Sequence, residues 1–307
     1  MFTSLLIPCY NSSRFLGQLK EVVDKIDPAF DEVLLIDDAS TDSTLAIAKE
    51  LGFTIIESKK NLGPGGARNV LAQHARGEWI RFLDSDDLIA PNFLEVVLPE
   101  LHIGHDVIVC GGLFLDEKNK VEISRWIFDQ ASFSDDSVRA AFISPVPTFC
   151  SVIRRKAFIA IQGFDTKRRC WEDGDMHLRL AAAGANFKIV TEVLATSLRH
   201  DSGASSNHGY CHRCRLEFIE NYIDQRIPIS NDVFQQELLR IGFLLMYSRQ
   251  YQFALRAYAL VEKLGGDKVI SQNPYFRLML RYLPVRFGHF ISAAIKSIAS
   301  KGNNLRC

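Results

Sequence analysis

The sequence passes from apolar residues to carboxylates within Trp79-Ile-Arg-Phe-Leu-Asp-Ser-Asp-Asp87. Its first half predicts a buried strand, and its second half predicts a polar turn at the carboxyl end of that strand. On either side, apolar runs predict strands at 3–7, 32–36, 53–57 and 106–110, and amphipathic stretches predict helices at 13–26, 43–51 and 64–75. Alternation at this spacing favours an α/β domain with a mostly parallel central sheet flanked by helices.

Ligands of such sheets bind beyond the carboxyl ends of the strands. Three polar clusters follow predicted strands at that edge: Pro8-Cys-Tyr-Asn11, Asp37-Asp-Ala-Ser40 and Asp84-Ser-Asp-Asp87. Asp84 and Asp86 offer only oxygen ligands, which suit Mg²⁺ or Mn²⁺ together with the phosphates of a substrate. The alternative interpretation is that Asp86 or Asp87 caps the helix that Pro91 opens.

Two further features of this edge suit a nucleotide. A carboxylate at Asp37 can accept hydrogen bonds from a nucleobase imide or a ribose hydroxyl, although the neighbouring Ser40 and Asp42 are equally good helix caps. The glycine-rich run Asn61-Leu-Gly-Pro-Gly-Gly-Ala-Arg-Asn69 permits close approach by a ligand, or only shapes a tight turn. It lacks the lysine of a phosphate loop, and Arg68 stands where a dinucleotide fingerprint has its third glycine. Arg68 is therefore a candidate for direct contact with the nucleotide.

A second carboxylate cluster, Trp171-Glu-Asp-Gly-Asp175, precedes a predicted helix. Either Glu172 or Asp173 can take a proton from an attacking hydroxyl if it faces the donor. We expect an aspartate there to be ionised at neutral pH without a large pKa shift. The alternative is that these acids only complement the helix dipole. Further on, Arg199 can oppose a diphosphate and His200 can bind a metal, although a single histidine is more often a surface residue.

Together these elements resemble family 2 of the glycosyltransferases, which has the nucleotide-sugar-binding GT-A fold. The matching stretches, in the family's order, are Ile7-Pro-Cys-Tyr-Asn11, Leu35-Ile-Asp-Asp-Ala-Ser-Thr-Asp42, 61–69, Phe82-Leu-Asp-Ser-Asp-Asp87, Gly163-Phe-Asp165 and Glu172-Asp173. The resemblance implies transfer of a sugar from a nucleotide diphosphate sugar, by default a UDP-sugar, to an acceptor hydroxyl with inversion of the anomeric configuration.

The resemblance also implies roles for individual residues. The implied donor-nucleotide pocket consists of Pro8, Tyr10, Asn11, Asp37, Asp38, Asn61, Gly66, Arg68, Asp84 and Ser85. The implied ligands of Mn²⁺ or Mg²⁺ are Asp86, Asp84 and His200. The implied catalytic base is Asp173, with Glu172 beside it and Trp171 on the acceptor side. A single displacement then inverts the anomeric carbon while the cation and a nearby arginine stabilise the leaving diphosphate.

Two other classes of protein fit parts of the pattern. A metal-dependent nucleotidyltransferase also uses paired carboxylates, but residues 8–13 contain no lysine or arginine to grip a triphosphate. A non-catalytic nucleotide-sugar-binding module is the second alternative. The presence of Asp84, Asp86 and Asp173 together argues against it, because decay of an active site has no reason to spare them.

The sequence beyond residue 205 lies outside the resemblance. We expect a catalytic domain at 1–205 and a helical C-terminal region at 206–307, with helical apolar spacing in 233–247 and 253–264. The segment 285–300 predicts a basic amphipathic helix that lies on an anionic membrane surface, on the enzyme or on a second subunit. Membrane contact favours a lipid-linked glycan or a growing surface polysaccharide as the acceptor.

The composition is that of an ordinary globular protein, with 47% apolar and 23% charged residues. Because 36 basic and 36 acidic side chains cancel, we expect no nucleic-acid partner. We find no signal-peptide pattern and no uninterrupted apolar stretch of about 18 residues, so we expect a cytoplasmic protein, with or without contact to the inner face of the plasma membrane. Cys211-His-Arg-Cys214 is interpreted as ordinary helix residues rather than a zinc site.

Overall fold

A computed structural model of the chain describes residues 1–102, 104–168, 170–199 and 207–266. The chain divides into two compact units, Met1–Asp201 and Ser202–Cys307. Within the described residues, no helix is both long and apolar enough to cross a membrane. The amphipathic helix predicted at 285–300 lies outside the described residues.

The first unit is built around one sheet with the strand order β3-β2-β1-β4-β8-β6-β9-β5, and β7 also pairs with β6. The strands are β1 (Thr3–Cys9), β2 (Glu32–Asp37), β3 (Thr54–Glu57), β4 (Trp79–Phe82), β5 (Asp87–Ile89), β6 (Val107–Asp116), β7 (Glu122–Trp126), β8 (Ser151–Arg154) and β9 (Phe187–Arg199). Strands β1 to β4 are mutually parallel, as are β6 and β9, whereas β5, β7 and β8 pair antiparallel with their neighbours.

Helices flank this sheet, which confirms the predicted α/β class. They are α1 (Leu16–Asp24), α2 (Thr44–Glu50), α3 (Gly63–His74), α4 (Phe93–Val97), α5 (Gln130–Asp135), α6 (Ser137–Ile143), α7 (Arg155–Ala160) and α8 (Glu172–Ala182), with 3₁₀ turns at Leu98–His102 and Thr148–Cys150. Helix α3 packs against β1, β2 and α7, so the glycine-rich segment is fixed to the centre of the sheet.

The central strands form where the sequence is continuously apolar. Leu5, Leu6 and Ile7 of β1 and Leu35 and Ile36 of β2 are all fully buried. Parallel strands covered by helices on both faces read as unbroken apolar runs, without the alternation of a half-exposed strand. The strands predicted from such runs correspond to β1 through β4 and to the first half of β6.

Apolar runs do not predict the strands β7 and β8 or most of β9. The apolar run at 187–190 predicts a strand of four residues, whereas β9 extends through Phe187–Arg199. After Val190 the exposed Thr191 and Glu192 interrupt the apolar run, and the pairing with β6 shifts register around Gly111. A bulged strand loses its regular side-chain period, so periodicity alone does not detect it.

The carboxyl ends of β1, β2 and β4 lie at one edge of the sheet. Cys9 and Asp37 are register partners at the ends of β1 and β2. The Asp38 N–H donates to the Cys9 carbonyl at 2.8 Å, and the Leu83 N–H donates to the Leu6 carbonyl at 3.0 Å. The three polar clusters therefore leave the sheet at the same edge, as predicted.

The described part of the second unit consists of α9 (His208–Asp224), α10 (Asn231–Tyr247) and α11 (Tyr251–Lys263). The helices predicted at 233–247 and 253–264 correspond to α10 and α11. A buried ion pair joins α9 to α10, with Arg215 Nη2 2.8 Å from Glu237 Oε2. Nowhere in the described ranges do three histidine, cysteine or acidic side chains form a group that could hold a metal.

Gly242 lets α10 approach α11 closely, and its replacement should destabilise the second unit. A Cβ atom added at Gly242 would lie 2.4 Å from Cε1 of Tyr258, whose side chain is fully buried. We expect Gly242→Ala to lower the free energy of unfolding by about 1–3 kcal/mol in urea denaturation, because the ring has no room to move. Gly209→Ala is the matched control, since its Cβ would meet only the flexible end of Gln250 at 3.2 Å. If Gly242→Ala and Gly209→Ala lose equal unfolding free energy, the proposed clash with Tyr258 is contradicted.

Candidate active site

The adjacent carboxylates Asp37 and Asp38 have different surroundings. Asp38 accepts from the backbone N–H groups of Leu62 and Gly63 at 2.8–3.0 Å, so it holds the start of α3. Burial raises the pKa of Asp38, and these N–H groups act in the opposite direction. Asp37 is 4% exposed, and its Oδ2 is 3.4 Å from the Ser40 N–H, while its Oδ1 is buried without a hydrogen-bond partner. Asp37 therefore keeps one acceptor available for a ligand.

The turn after β1 presents the other residues predicted for the nucleotide pocket. Pro8 is half-buried and Tyr10 is half-exposed at the sheet edge. Asn11 has a left-handed backbone with φ of 51°, and its Oδ1 accepts from the Thr41 N–H at 2.8 Å. This bond joins the turn after β1 to the turn after β2, so the two turns form one continuous surface beside Asp37.

The glycine-rich entry to α3 is explained by packing within the protein. A Cβ at Gly65 would lie 3.2 Å from Cβ of Phe164, and one at Gly66 would lie 2.8 Å from Cβ of Leu62. Both glycines are buried. Asn61, at the start of the segment, donates from Nδ2 to the Asp38 carbonyl at 3.3 Å. Of the two interpretations of the glycines, the tight turn is the one that these contacts support.

Arg68 lies beneath the site with 5% of its side chain exposed. Its Nη2 donates to both carboxylate oxygens of Asp84, at 2.7 and 2.8 Å, and its Nη1 donates to Glu172 at 3.3 Å. Burial alone lowers the pKa of Arg68, but the charges of Asp84 and Glu172 outweigh it and raise that pKa above the ordinary value. The guanidinium is thus a permanent cation held between two acidic turns.

The turn after β4 concentrates negative charge. Asp84, Ser85 and Asp86 are half-buried, and Asp87 is buried at the start of β5. Burial, followed by the charges of Asp84 and Asp86, raises the pKa of Asp87 well above its ordinary range. Ser85 Oγ donates to Ser12 Oγ at 2.9 Å and so ties the turn to the loop after β1.

The donor atoms of this turn fit a hard divalent cation. Asp84 and Asp86 supply carboxylate oxygens at one half-buried turn, and their charges add to burial in raising the pKa of the neighbouring Asp87. A cation with few protein ligands completes its shell with water and substrate phosphates, as Mg²⁺ commonly does. His200, predicted as a further ligand, lies outside the described residues.

Asp173 lies in the first turn of α8, after Trp171 with its left-handed φ of 68°. Its Oδ1 accepts from the Gly174 N–H at 2.7 Å. Burial, followed by the charge of Glu172, raises the pKa of Asp173 to about 7, and Gly174 and Arg68 only partly oppose this. The prediction that the pKa of this aspartate is not shifted is therefore wrong. A carboxyl with a pKa near neutrality is well matched to proton transfer at physiological pH.

A clamp that the sequence analysis did not assign holds the loop before α8. Asn69 Oδ1 accepts from the Phe164 N–H at 2.8 Å, and Asn69 Nδ2 donates to the Phe164 carbonyl at 2.9 Å. Further along, Asp175 lies 3.0 Å from Arg168 Nε and 2.7 Å from Arg179 Nη2. The only signal for the clamp was the position of Asn69 at the end of the glycine-rich run.

His177 is a second residue that the sequence analysis left without a role. It is fully buried, and its Nδ1 lies 2.9 Å from the Asp173 carbonyl while its Nε2 lies 3.0 Å from Ser151 Oγ. Burial lowers the pKa of His177 to about 4, so the ring is neutral at physiological pH. A neutral ring bonded to a carbonyl through Nδ1 carries its proton there, and Ser151 then donates to Nε2. This bond links the turn of Asp173 to the sheet.

A groove of about 640 Å³ lies elsewhere in the first unit, next to His105, Gln130, Asp135 and Phe187. Phe187 begins β9, which runs parallel to β6, so this groove is at the amino ends of those strands. The carboxylate clusters are at the opposite edge. The groove is therefore separate from the candidate site, which is defined by its charges and hydrogen bonds.

Both the sequence and the fold resemble those of known proteins. The model of the family "Glycosyl transferase family 2" matches residues 4–162. An uncharacterized glycosyltransferase of Haemophilus influenzae is 33% identical over 129 residues, which cover 39% of this chain and 51% of that protein. The putative glycosyltransferase EpsE of Bacillus subtilis is 29% identical over 266 residues, covering 78% of this chain and 89% of EpsE. The chain thus spans about half the length of the first relative and most of the second.

Two solved structures share the fold. Residues 1–349 of Staphylococcus aureus TarS in complex with UDP-GlcNAc superpose with a TM-score of 0.67 at 19% identity, over 98% of this chain and 92% of that one. The mannosyltransferase PcManGT of Pyrobaculum calidifontis, in complex with GDP-Man and Mn²⁺, gives a TM-score of 0.60 at 17% identity, over 97% and 87%. The predicted GT-A fold is confirmed.

The raised pKa of Asp173 makes a prediction for stability that needs no activity assay. The pKa of an aspartate in an unfolded chain is about 3.9, whereas the pKa of Asp173 in the folded protein is about 7. Between these values the folded protein binds more protons than the unfolded chain, so this group lowers stability as the pH rises. We expect Asp173→Asn to gain about 1–3 kcal/mol of unfolding free energy relative to wild type between pH 4 and pH 8.

The control for this measurement is Asp129→Asn. Hydrogen bonds from Ser132 lower the pKa of Asp129, so this carboxyl is ionised in both the folded and the unfolded protein above about pH 5, and the stability difference between Asp129→Asn and wild type should stay constant from there to pH 8. Urea denaturation at several pH values measures both trends. A flat difference between wild type and Asp173→Asn would show that Asp173 is not shifted.

Proposed function

The chain belongs to glycosyl transferase family 2, and we propose that it moves a sugar from a UDP-sugar to an acceptor hydroxyl with inversion of the anomeric configuration. The observation that carries this proposal is the pairing of a carboxylate turn suited to a cation, Asp84 to Asp86, with a carboxyl whose pKa lies near neutrality, Asp173. Arg68 donates hydrogen bonds to Asp84 in the carboxylate turn and to Glu172, the neighbour of Asp173. Family membership disfavours the nucleotidyltransferase alternative.

Asp37 is the residue proposed to select the nucleobase of the donor. Its buried Oδ1 lacks a partner within the protein and can accept from the imide N–H of uracil. Cytosine and unsubstituted adenine have no ring N–H at the equivalent position, so the site should disfavour them. The TarS structure contains UDP-GlcNAc, and the PcManGT structure contains GDP-Man, whose guanine also carries a ring N–H. Asp38, Asn61, Gly66 and Ser85 would shape this pocket through the backbone, with Pro8, Tyr10 and Asn11 at its open side.

Mn²⁺ or Mg²⁺ is the proposed cofactor, held by Asp86 and Asp84, with His200 as a further candidate. When bound, such a cation neutralises charge on a leaving diphosphate. The negative charge gathered at this turn and the Mn²⁺ in the PcManGT structure support the assignment. Asp86 is the proposed main ligand, and Asp84, whose two oxygens accept from Arg68, is the proposed second ligand.

Asp173 is the proposed general base. It takes the proton of the acceptor hydroxyl as that oxygen forms a bond to the anomeric carbon, and the bond from that carbon to the diphosphate breaks with its electron pair. The nucleoside diphosphate leaves, and Asp173 later returns its proton to solvent. A single displacement inverts the anomeric carbon, so no enzyme nucleophile is required.

The proposed acceptor is a glycan, either a growing surface polysaccharide or a lipid-linked saccharide. Trp171, adjacent to the base-bearing turn and half-buried, offers a ring on which a sugar can stack. The relatives include the poly(ribitol-phosphate) β-N-acetylglucosaminyltransferase TarS of Staphylococcus aureus. We place the protein in the cytoplasm, with the segment 285–300 as the candidate contact to the inner membrane face or to a second subunit.

Donor screening tests the proposed function. Purified protein with Mn²⁺ or Mg²⁺ is incubated with each common nucleotide sugar, and the released nucleoside diphosphate is measured. We expect slow hydrolysis of a UDP-sugar that is abolished by chelation and falls by at least about 100-fold in Asp86→Ala, because the leaving group then lacks its counter-charge. Asp24→Ala, an exposed carboxylate on α1, is the control and should keep wild-type activity.

The outcome that overturns the proposal is a silent screen together with calorimetry that finds no metal-dependent binding of any nucleoside diphosphate. A silent screen with tight, metal-dependent UDP binding keeps the donor assignment and shows that turnover requires the acceptor.

The choice of nucleobase has its own test at Asp37. We expect Asp37→Ala to weaken UDP binding by about 10- to 100-fold, because a hydrogen bond to a buried charged acceptor is lost. Binding of CDP, which has no imide N–H, should change little. Calorimetry with Mn²⁺ present measures both affinities. An equal loss for UDP and CDP would mean that Asp37 contacts the ribose or supports the fold instead of reading the base.

A further inference from the structure

Arg68 joins elements that are far apart in the sequence. Its guanidinium donates to Asp84, sixteen positions away after β4, and to Glu172, 104 positions away in α8. With 5% of the side chain exposed, it is a buried cation and not a surface arm. Removal of this cation would leave two carboxylates close together without a counter-charge, which is strongly unfavourable.

The position of the guanidinium is fixed from several sides. Its Cζ lies 5.4 Å from the ring centroid of Phe164, and the backbone of Phe164 is clamped by Asn69, the next residue after Arg68. The two terminal nitrogens of the guanidinium reach different carboxylates, because Nη2 donates to Asp84 while Nη1 donates to Glu172, and a side chain with a single nitrogen has no such pair of donors. Lysine keeps the charge but cannot reproduce this geometry.

We propose that Arg68 is a positioning residue that couples the donor-side carboxylate Asp84 to the base-bearing turn through Glu172. This inference rests on the proposed function, because it assigns the donor to Asp84 and the base to Asp173. Arg68 acts through the two carboxylates that it holds and not by direct contact with the nucleotide. Loss of this double contact therefore displaces the base-bearing turn relative to the bound donor.

A double-mutant cycle tests the coupling. The variants are Arg68→Met, Glu172→Gln and the combination of the two, each assayed for kcat and for the KM of the donor. We expect Arg68→Met to lower kcat by about 100-fold, the scale of a misplacement of about 1 Å. The double variant should be no more than about threefold worse than Arg68→Met, because Glu172 acts through Arg68 and coupled residues are not additive. Losses that multiply in full would overturn the proposal.

The affinity for UDP separates positioning from direct contact. If Arg68 positions Asp84 and Glu172, Arg68→Lys keeps UDP affinity within about threefold of wild type while kcat falls by at least about tenfold. A direct contact with the nucleotide predicts the reverse, with weakened UDP binding and a kcat close to wild type at saturating donor. That result would overturn the proposal, as would a wild-type kcat in Arg68→Lys.

The pH profile of kcat/KM tests the electrostatic part of the coupling, because a purely structural role of Arg68 would not shift it. The charged or titratable groups beside Asp173 include Glu172 in the same turn and His177 one turn further along α8. They also include Arg68 from α3 and Cys150 from the 3₁₀ turn before β8. Arg68→Met removes a positive charge and should shift the acid limb of kcat/KM to higher pH. Glu172→Gln removes a negative charge and should shift it to lower pH. An unmoved limb in both variants would contradict the electrostatic part of the coupling.

Arg154→Lys is the matched control. Arg154 is also a largely buried arginine, and it is held by Glu78 and Asp106 at the opposite edge of the sheet, where β8 ends. This variant should retain the kcat and pH profile of wild type.

Circular dichroism checks the fold, and if Arg68→Met does not fold, the cycle is run with Arg68→Lys, for which the same non-additivity with Glu172→Gln is expected. If wild type itself binds no UDP, the proposed function fails; if wild type turns over and the cycle is additive, only this inference fails.

Discussion

A buried guanidinium surrounded by carboxylates is the interaction on which the rest of the site depends. Arg68 donates to Asp84 at the end of the parallel half of the sheet and to Glu172 at the start of α8. The glycine-rich segment brings Arg68 there, because Gly65 and Gly66 pack closely against Phe164 and Leu62. The glycines therefore contribute indirectly, by placing α3 and its arginine: a larger residue at Gly65 would push α3 away from the loop before α8, and one at Gly66 would clash with Leu62 at the start of α3.

The positive charge of Arg68 does not offset burial and the acids around it. The pKa values of Asp87 and Asp173 are both raised, in each case first by burial and then by neighbouring acids. The folded protein thus tolerates an electrostatic cost at one edge of the sheet. Such a cost is common where a site is arranged to bind a cation and to hold a proton near neutrality.

The sequence predicted the parallel half of the sheet because buried strands between helices are continuous apolar runs, as in β1 with Leu5, Leu6 and Ile7. It did not predict β8, which has only four residues, or the length of β9, whose register shift removes the regular period. Periodicity therefore identified the sheet edge that carries the site, but not the antiparallel strands that extend the sheet.

Within the site, residue types and strand ends indicated where the carboxylates converge, but not what each one does. Asp37 and Asp38 are adjacent and chemically identical, and only the folded chain shows that Asp38 is occupied by α3 while Asp37 keeps a buried acceptor. The pKa of Asp173 could not be predicted either. It depends on desolvation and on the balance between Glu172 and Arg68, which lie 104 positions apart.

The most direct test of the account is the pH dependence of kcat/KM for the wild-type enzyme with its donor and a competent acceptor. If Asp173 is the base, the rate should fall on the acid side with a midpoint near its pKa of about 7. An acid limb near about 4, the value of an ordinary aspartate, would contradict the claim that burial and Glu172 tune this carboxyl for proton transfer.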